Sequence, residues 1–381
     1  MNAADRATYS APVVELIRRM RAVALSALPG MFRADDLLYS FRVRRAGEQV
    51  VPEGISRRYT AITLLGLADE QPDDARRALG GHERREVCHR LMRDVADVEN
   101  LGDVALTLWA ARAVELDDLT PAWDRLRELL TARPDHWTVD WAWSVTALTY
   151  CGLRDANALR DQTARRLMDA FNERSGIFPH VVGPDRRIRA HVSCFADLVY
   201  PTQALSFYAL AQGDDRAARI AGQCARKFCE MMGPAGQWWW HYDVRSGRVV
   251  EGYPVYSVHQ DAMAPMALLA AQAACETNFV APLEKGVTWM SGAPEIGGRS
   301  LIDEQAGVIW RKVCRREPNK LTRTLQALAT KVHPAMRVPG VNALFPPVAI
   351  DYECRPYHLG WLLYAFPAGG VIKRFAPSVR M

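Results

Sequence analysis

The chain of 381 residues contains no apolar run near the roughly 20 residues that a membrane span requires. Its eight cysteines, Cys88, Cys151, Cys194, Cys224, Cys229, Cys275, Cys314 and Cys354, lie in apolar helical segments and include no CxxC pair. That spacing excludes a thiol-rich zinc ribbon and a secreted disulfide scaffold. No GxGxxG or Walker-type glycine loop is present, so a nucleotide cofactor has no anchor. The basic cluster Arg186-Arg187-Ile188-Arg189 is too small to specify nucleic acid. The opening MNAADRATYSAPVVELIRRM carries acids and bases where a signal peptide needs an apolar stretch. These absences predict a cytoplasmic protein with reduced core cysteines and neither cofactor nor metal.

What is present is a rhythm. Segments at about 11–28, 73–96, 119–132, 156–172, 214–232 and 279–292 repeat apolar residues every three or four positions among Arg, Asp and Glu, the pattern of helices with one wet face. Between them, segments at about 55–68, 100–115, 138–152, 196–212, 257–274 and 356–366 are apolar nearly all round, as in Ala262-Met263-Ala264-Pro265-Met266-Ala267-Leu268-Leu269-Ala270. A helix apolar on every side is buried on every side. Six such pairs predict an all-α fold of six helical hairpins closing into a ring, one domain over 1–381, with the apolar helix of each pair inside.

Turns from inner to outer helix are short and end on glycine, as at Gly152 and Gly213. The reverse connections are uneven, and four are long, at about 29–54, 173–195, 233–255 and 293–354. Each contains text that reads as a β-hairpin. In an alternating ring all these insertions share one rim with the inner-helix N-termini, which favour anionic or hydroxyl-rich ligands. The four long connections carry net charges of 0, +2, 0 and +3, matching the +5 of the whole chain. A positive mouth predicts an acidic substrate.

The densest text runs from Trp238-Trp239-Trp240-His241-Tyr242-Asp243 to Tyr256-Ser257-Val258-His259-Gln260-Asp261. Strand alternation would put Trp238, Trp240 and Tyr242 on one face and Trp239, His241 and Asp243 on the other, one face packed and one offered to a ligand. His259 and Asp261 point about 200° apart on a helix, and His259 aligns with Tyr256, so His259 is the expected lumen-facing catalytic group. In the last connection, Pro356 suits the first helical turn. That places Glu353 as an acid or base, Arg355 as a fork for carboxylate or phosphate, and Tyr357 and His358 just inside. Asp103, Asp140 and Asp197 open three further inner helices, beside Arg58, Tyr59, Trp141 and Tyr200. Acids there are favoured by the helix dipole without any function, yet several around one mouth also suit glycoside chemistry. Cys354 and His358, four apart, make only half a zinc site.

The sixfold hairpin pattern resembles the (α/α)6 toroids, over nearly the whole chain. That fold includes six-hairpin glycosidases, polysaccharide lyases, sugar 2-epimerases and the catalytic region of uronyl 5-epimerases. Trp240-His241-Tyr242-Asp243 followed by Tyr256-Ser257-Val258-His259 is similar to the aromatic hairpin that leads into a Tyr/His-bearing helix in the uronyl epimerases. The resemblance implies a carbohydrate-active enzyme, a hydrolase, lyase or epimerase, but neither lyase nor hydrolase signatures are intact, so the expected acid/base catalysis on an acidic or phosphorylated sugar or oligosaccharide rests on the rim's charge and acids. His259 and Glu353 would move protons, with Asp197 or His358 as partner. Other α-toroids are terpenoid cyclases and prenyl-chain enzymes, but the Asp-rich acid motif and the repeated glutamine-tryptophan motif of the cyclases are absent. An aromatic-lined pocket would favour that alternative. A non-catalytic scaffold would instead pair its rim charges with one another and leave no open pocket.

Overall fold

A computed structural model describes residues 9–47, 49–132, 135–185, 187–318 and 320–368. The two ends of the expected 1–381 unit and Arg186 of the basic cluster lie outside the described residues.

The helices are α1 Ala11–Ala27, α2 Arg57–Leu67, α3 Pro72–Ala78, α4 Arg84–Met92, α5 Leu101–Ala113, α6 Thr120–Ala132, α7 Thr138–Tyr150, α8 Asn157–Asp169, α9 Ala196–Gln212, α10 Asp215–Glu230, α11 Ala264–Cys275, α12 Val280–Trp289, α13 Leu321–Val332, α14 Val341–Leu344 and α15 Pro356–Ala365. The all-round apolar segments become α2, α5, α7, α9, α11 and α15, each packed on the next, with α15 returning to α2. Helix α9 buries every residue from Asp197 to Ala209. Around this ring lie α1, α3 with α4, α6, α8, α10 and α12. Helix α10 shows how the outer set forms. Asp214 caps it by accepting from the Ala217 N–H at 2.8 Å, and Ile220, Ala221, Cys224, Ala225 and Phe228 make its buried stripe.

Two helices of the ring touch backbone to backbone. A Cβ on Gly360 of α15 would stand 2.7 Å from Thr63 Cα and 3.0 Å from the Ile62 carbonyl oxygen of α2. Backbone on both sides leaves nothing flexible to yield, so Gly360→Ala should cost about 3 kcal/mol by overpacking. Gly30, which has nothing within 4 Å of its own Cβ position, is the control. Denaturant melts of G360A and G30A check this, and equal midpoints would refute close packing at the closure.

The rim differs in detail from the sequence expectation. The segment read as one outer helix over 73–96 divides into α3 and α4, because Gly80 and Gly81 take φ of +61° and +97°, which no helix continues through. Three of the four long connections hold hairpins of their own, Phe32–Arg33 with Leu38–Tyr39 and Arg42–Ala46 with Gln49–Glu53 in the first, His241–Asp243 with Val249–Glu251 in the third, and Ile302–Asp303 with Val308–Ile309 in the last. The strands are two to five residues long and several also pair across connections, since a lone short hairpin is marginal in water. Val192–Cys194 pairs with His241–Asp243, which pairs with Val249–Glu251. Val255–Tyr256 pairs with Lys312–Cys314, which pairs with Ala349–Asp351. The hairpin Arg42–Ala46 with Gln49–Glu53 takes Glu353–Cys354 as its third strand. The last connection also inserts α13 and α14, which the sequence reading treated as loop.

Candidate active site

Strand pairing brings the rim's charges together. The register sets Arg44 opposite Glu353 and Lys312 opposite Asp351. Glu353 is buried and lies 3.0 Å from Arg42 and 3.2 Å from Arg311, and it also accepts from Arg355 Nε. Burial raises its carboxyl pKa, but Arg311 and Arg355 outweigh burial and hold it below the ordinary range. Glu353 is therefore an ionised anchor for three guanidiniums. Arg355 passes the order on, donating 2.7 Å to the Tyr59 hydroxyl and lying 4.5 Å over the Phe41 ring. Tyr59 in turn lies against Tyr357 at 4.6 Å. Burial and Tyr59 push the Tyr357 phenol up.

His259 sits in a single π turn, His259–Met263, at the entry to α11, a local irregularity common at functional sites. Its ring is buried between Phe195 at 4.7 Å and Tyr256 at 5.0 Å, and its Nδ1 has no protein partner. Burial, with smaller contributions from His358 and Arg311, lowers its pKa to about 3. It is a neutral imidazole near pH 7, able to hydrogen-bond a substrate but a poor proton carrier there. His358 turns away from the lumen and bonds both oxygens of buried Asp261 at 2.8 and 2.9 Å, tying α15 to the π turn.

Three sides of the opening are built around carboxylates. Asp197 Oδ2 accepts from the Cys194 N–H at 2.8 Å and the Ser193 hydroxyl at 3.2 Å, and lies 2.7 Å from His180 Nδ1. Its Oδ1 is buried and unpartnered. Burial opposes the His180 imidazolium, yet the Asp197 charge and hydrogen bond raise its pKa. Asp103 holds Arg58, which also donates 2.8 Å to Asn100 Oδ1 and lies 5.4 Å over Trp143. Asp140 is buried against Gly102. Burial raises its carboxyl pKa to about 7, Arg58 lowers it, and the charges of Asp103 and Asp197 raise it further. A carboxylic acid poised near neutrality at a helix N-terminus is an unusual and chemically useful group.

At the His180–Asp197 pair lies a cavity of about 560 Å³ lined by His180, Cys194, Trp240, His241 and the guanidinium residues Arg187, Arg189 and Arg323. Among the described residues no carboxylate contributes to that lining. Arg187 is paired with Asp185. Arg189 and Arg323 form no ion pair among the described residues, and the buried Nε of each lacks a partner. Arg323 lies 5.1 Å over Trp240, which stacks at 4.0 Å on His241. The buried Nδ1 of His241 is likewise unpartnered, and burial with Arg189 and Arg323 drives its pKa well down. A second hollow, of about 480 Å³, has Asn100, Trp137 and Asp140 in its wall, and Trp137 packs on His180 at 4.7 Å.

Several expected positions move. Trp141 lines a hollow with Leu130 and Leu159 of the outer helices, under Arg166, so it belongs to the outer layer and Trp143 takes the lumen side. Tyr200 is buried against Trp143 at 4.9 Å and Trp361 at 6.0 Å. Trp239 packs on Tyr253 rather than lining the larger cavity, and Trp240 takes the place expected of it. Alternation fails because the strand starts only at His241 and its pairing shifts between His241 and Tyr242. Tyr256 lies under Arg311 and Lys312 at 5.2 and 5.5 Å. His180, Cys194, Arg189 and Arg323 escaped the sequence reading. Arg189 stands in the cluster Arg186-Arg187-Ile188-Arg189, whose sequence alone carries no signal for a sugar site. The donor atoms of His180, Cys194 and Asp197 lie within 4.8 Å of one another, a grouping that replaces the half-site of Cys354 and His358.

No protein-family model and no curated protein matches the chain. Solved structures do. Cellobiose 2-epimerase from Bacillus thermoamylovorans superposes with a TM-score of 0.61 at 10% identity, over 93% of this chain and 98% of that one. Unsaturated glucuronyl hydrolase from Bacillus sp. GL1 gives 0.57 at 11% identity, over 93% and 95%. A heparin-specific unsaturated glucuronyl hydrolase gives 0.55 at 12%, over 94% and 97%. The fold is an (α/α)6 toroid. At such identities the likeness fixes the architecture, and the chemistry rests on this toroid's own rim. The cyclase alternative finds no support there, because among the described residues Trp240 is the one indole or phenyl ring in a lining that holds three guanidiniums and two imidazoles.

Proposed function

We propose that the protein is a carbohydrate-active enzyme acting by proton transfer on a sugar that bears a carboxylate or phosphate. The observation that carries this reading is the rim cavity: two guanidiniums without acid partners among the described residues, a stacking indole, and His180 in its wall, whose charge is felt by Asp140, the carboxylic acid poised near neutrality in the second hollow. Arg189 and Arg323 would hold the anionic group, with the unpartnered His241 nitrogen as a further polar contact. Trp240 offers a flat face to the sugar ring. Asp140 is the proton donor and the His180–Asp197 pair its counterpart, the carboxylate holding the imidazole in one orientation. His259 hydrogen-bonds substrate as a neutral group, and Glu353 organises the arginines and does not exchange protons. Glucuronyl hydrolases and a cellobiose 2-epimerase among the structural neighbours support a carbohydrate substrate, and the hydrolases alone favour a uronate. A cytoplasmic location belongs to the same proposal and is supported by eight cysteines that are all free.

The test is a thermal-shift series with free uronic acids, uronate-terminated disaccharides, sugar phosphates and their neutral counterparts. A ligand at 100 times its Kd adds about 2.7 kcal/mol of stability. Charged members should raise the midpoint, neutral ones should not, and Arg323→Gln should remove most of the gain. Equal stabilisation by neutral sugars would sink the anionic assignment.

A further inference from the structure

The insertion between Pro318 and Ile350 carries Lys320, Arg323, Lys331 and Arg337 and contains no Asp or Glu. Its helix α13 is turned inside out. The face against the body of the protein consists of Thr322, Gln326, Ala327, Ala329 and Thr330, all buried. His191 Nε2 fastens it, 3.0 Å from the Ala327 carbonyl and 3.2 Å from the Thr330 hydroxyl. The solvent face carries Leu321, Leu328 and Val332, exposed by 39%, 48% and 79%. Just beyond, Met336 and Leu344 are 49% and 73% exposed. A helix that remains in water turns its large apolar side chains inward, and a cluster of them facing out marks a surface that something covers.

Charge decides what covers it. Among the described residues none of the four cations forms an ion pair, and Arg337 donates only to the carbonyls of Pro334, Met336 and Val249. A second copy related by a twofold axis would set these cations against their own mates. An anionic bilayer surface suits both features, headgroups meeting the cations and the apolar stripe entering the headgroup boundary. No helix among the described residues is long and apolar enough to cross a membrane, so contact would be interfacial. We infer that α13 and the segment running on to Leu344 form a docking surface for an anionic membrane. Arg323 belongs to both this helix and the rim cavity, so docking holds the cavity mouth at the bilayer.

Cosedimentation of the full chain with phosphatidylcholine vesicles, with and without phosphatidylglycerol, tests this. Binding is expected only with phosphatidylglycerol and weakens with salt. Leu328→Glu and Val332→Glu should each lower it at least about tenfold, and Lys331→Glu about fivefold or more. These side chains point into water, so the melting midpoints should not move. Val332→Trp gives a second readout, a blue-shifted emission on the anionic vesicles. Wild type that ignores phosphatidylglycerol vesicles overturns the inference, as does binding that L328E and V332E leave intact. A concentration-dependent dimer abolished by the same substitutions also overturns it, assigning the face to a second copy. Thermal shifts by soluble sugars are independent of this face, so failure here is distinct from failure of the cavity reading.

Discussion

Asp140→Asn is expected to lower kcat by roughly 10²–10⁴-fold while leaving the fold intact, the range in which a positioned proton donor contributes. The carboxyl pKa is raised to about 7 by burial. As donor it is active below that pH, and kcat should fall as pH rises through about 7, with D140N losing this limb of the profile. The same group makes a stability prediction of definite sign. Its folded pKa lies above its unfolded value, so the folded state binds the proton more tightly, and stability falls as pH rises from about 4 to about 7. The gap between 3.8 and about 7, at about 1.4 kcal/mol per pH unit, sets an upper bound of about 4 kcal/mol. D140N removes that penalty, so it should equal wild type near pH 4 and exceed it in stability near pH 8. Rate profiles and denaturant melts at the two pH values measure both. An asparagine variant with unchanged kcat would remove Asp140 from the chemistry.

Glu353→Ala should cost about 3–5 kcal/mol, because it leaves Arg42, Arg311 and Arg355 around a vacated, buried site. Its depressed pKa means that its stabilising contribution is present above the ordinary Glu range and is lost on acidification. Glu353→Gln keeps the shape and should recover part of the loss. Thermal melts paired with kcat distinguish the roles. An anchor lowers stability first and activity only with it, whereas a proton carrier would show a large fall in kcat for E353Q at an unchanged midpoint.

The difference between these two acids shows what was legible in the chain. Both were singled out from sequence, Glu353 as a proton carrier and Asp140 as one of several acids opening inner helices. Nothing in their local text separates them. Glu353 meets Arg44 in strand register and Arg42, Arg311 and Arg355 in space, through connections more than 300 residues apart in the case of Arg42. Asp140 gains its raised pKa from burial beside Gly102 and from Asp103 and Asp197 on neighbouring helices. His259 and His358 divide in the same way, one unpartnered against Phe195, the other bound to Asp261. Trp141 and Trp143 are two residues apart on α7, and only the packing of α8 against one side shows which faces outward.

Periodicity, by itself, determined the ring. Six polar helices alternating with six that are apolar all round admit few arrangements that bury the second set, and the glycine-ended turns on one side leave the long insertions on the other. The net +5 over the four long connections is likewise read from the chain alone. Which cations stay free, which acid keeps its proton and which helix shows its leucines to solvent were decided only by tertiary structure. Those properties are differences between a group and its neighbours, and at this rim the neighbours arrive from other insertions, on strands too short to announce their partners in sequence.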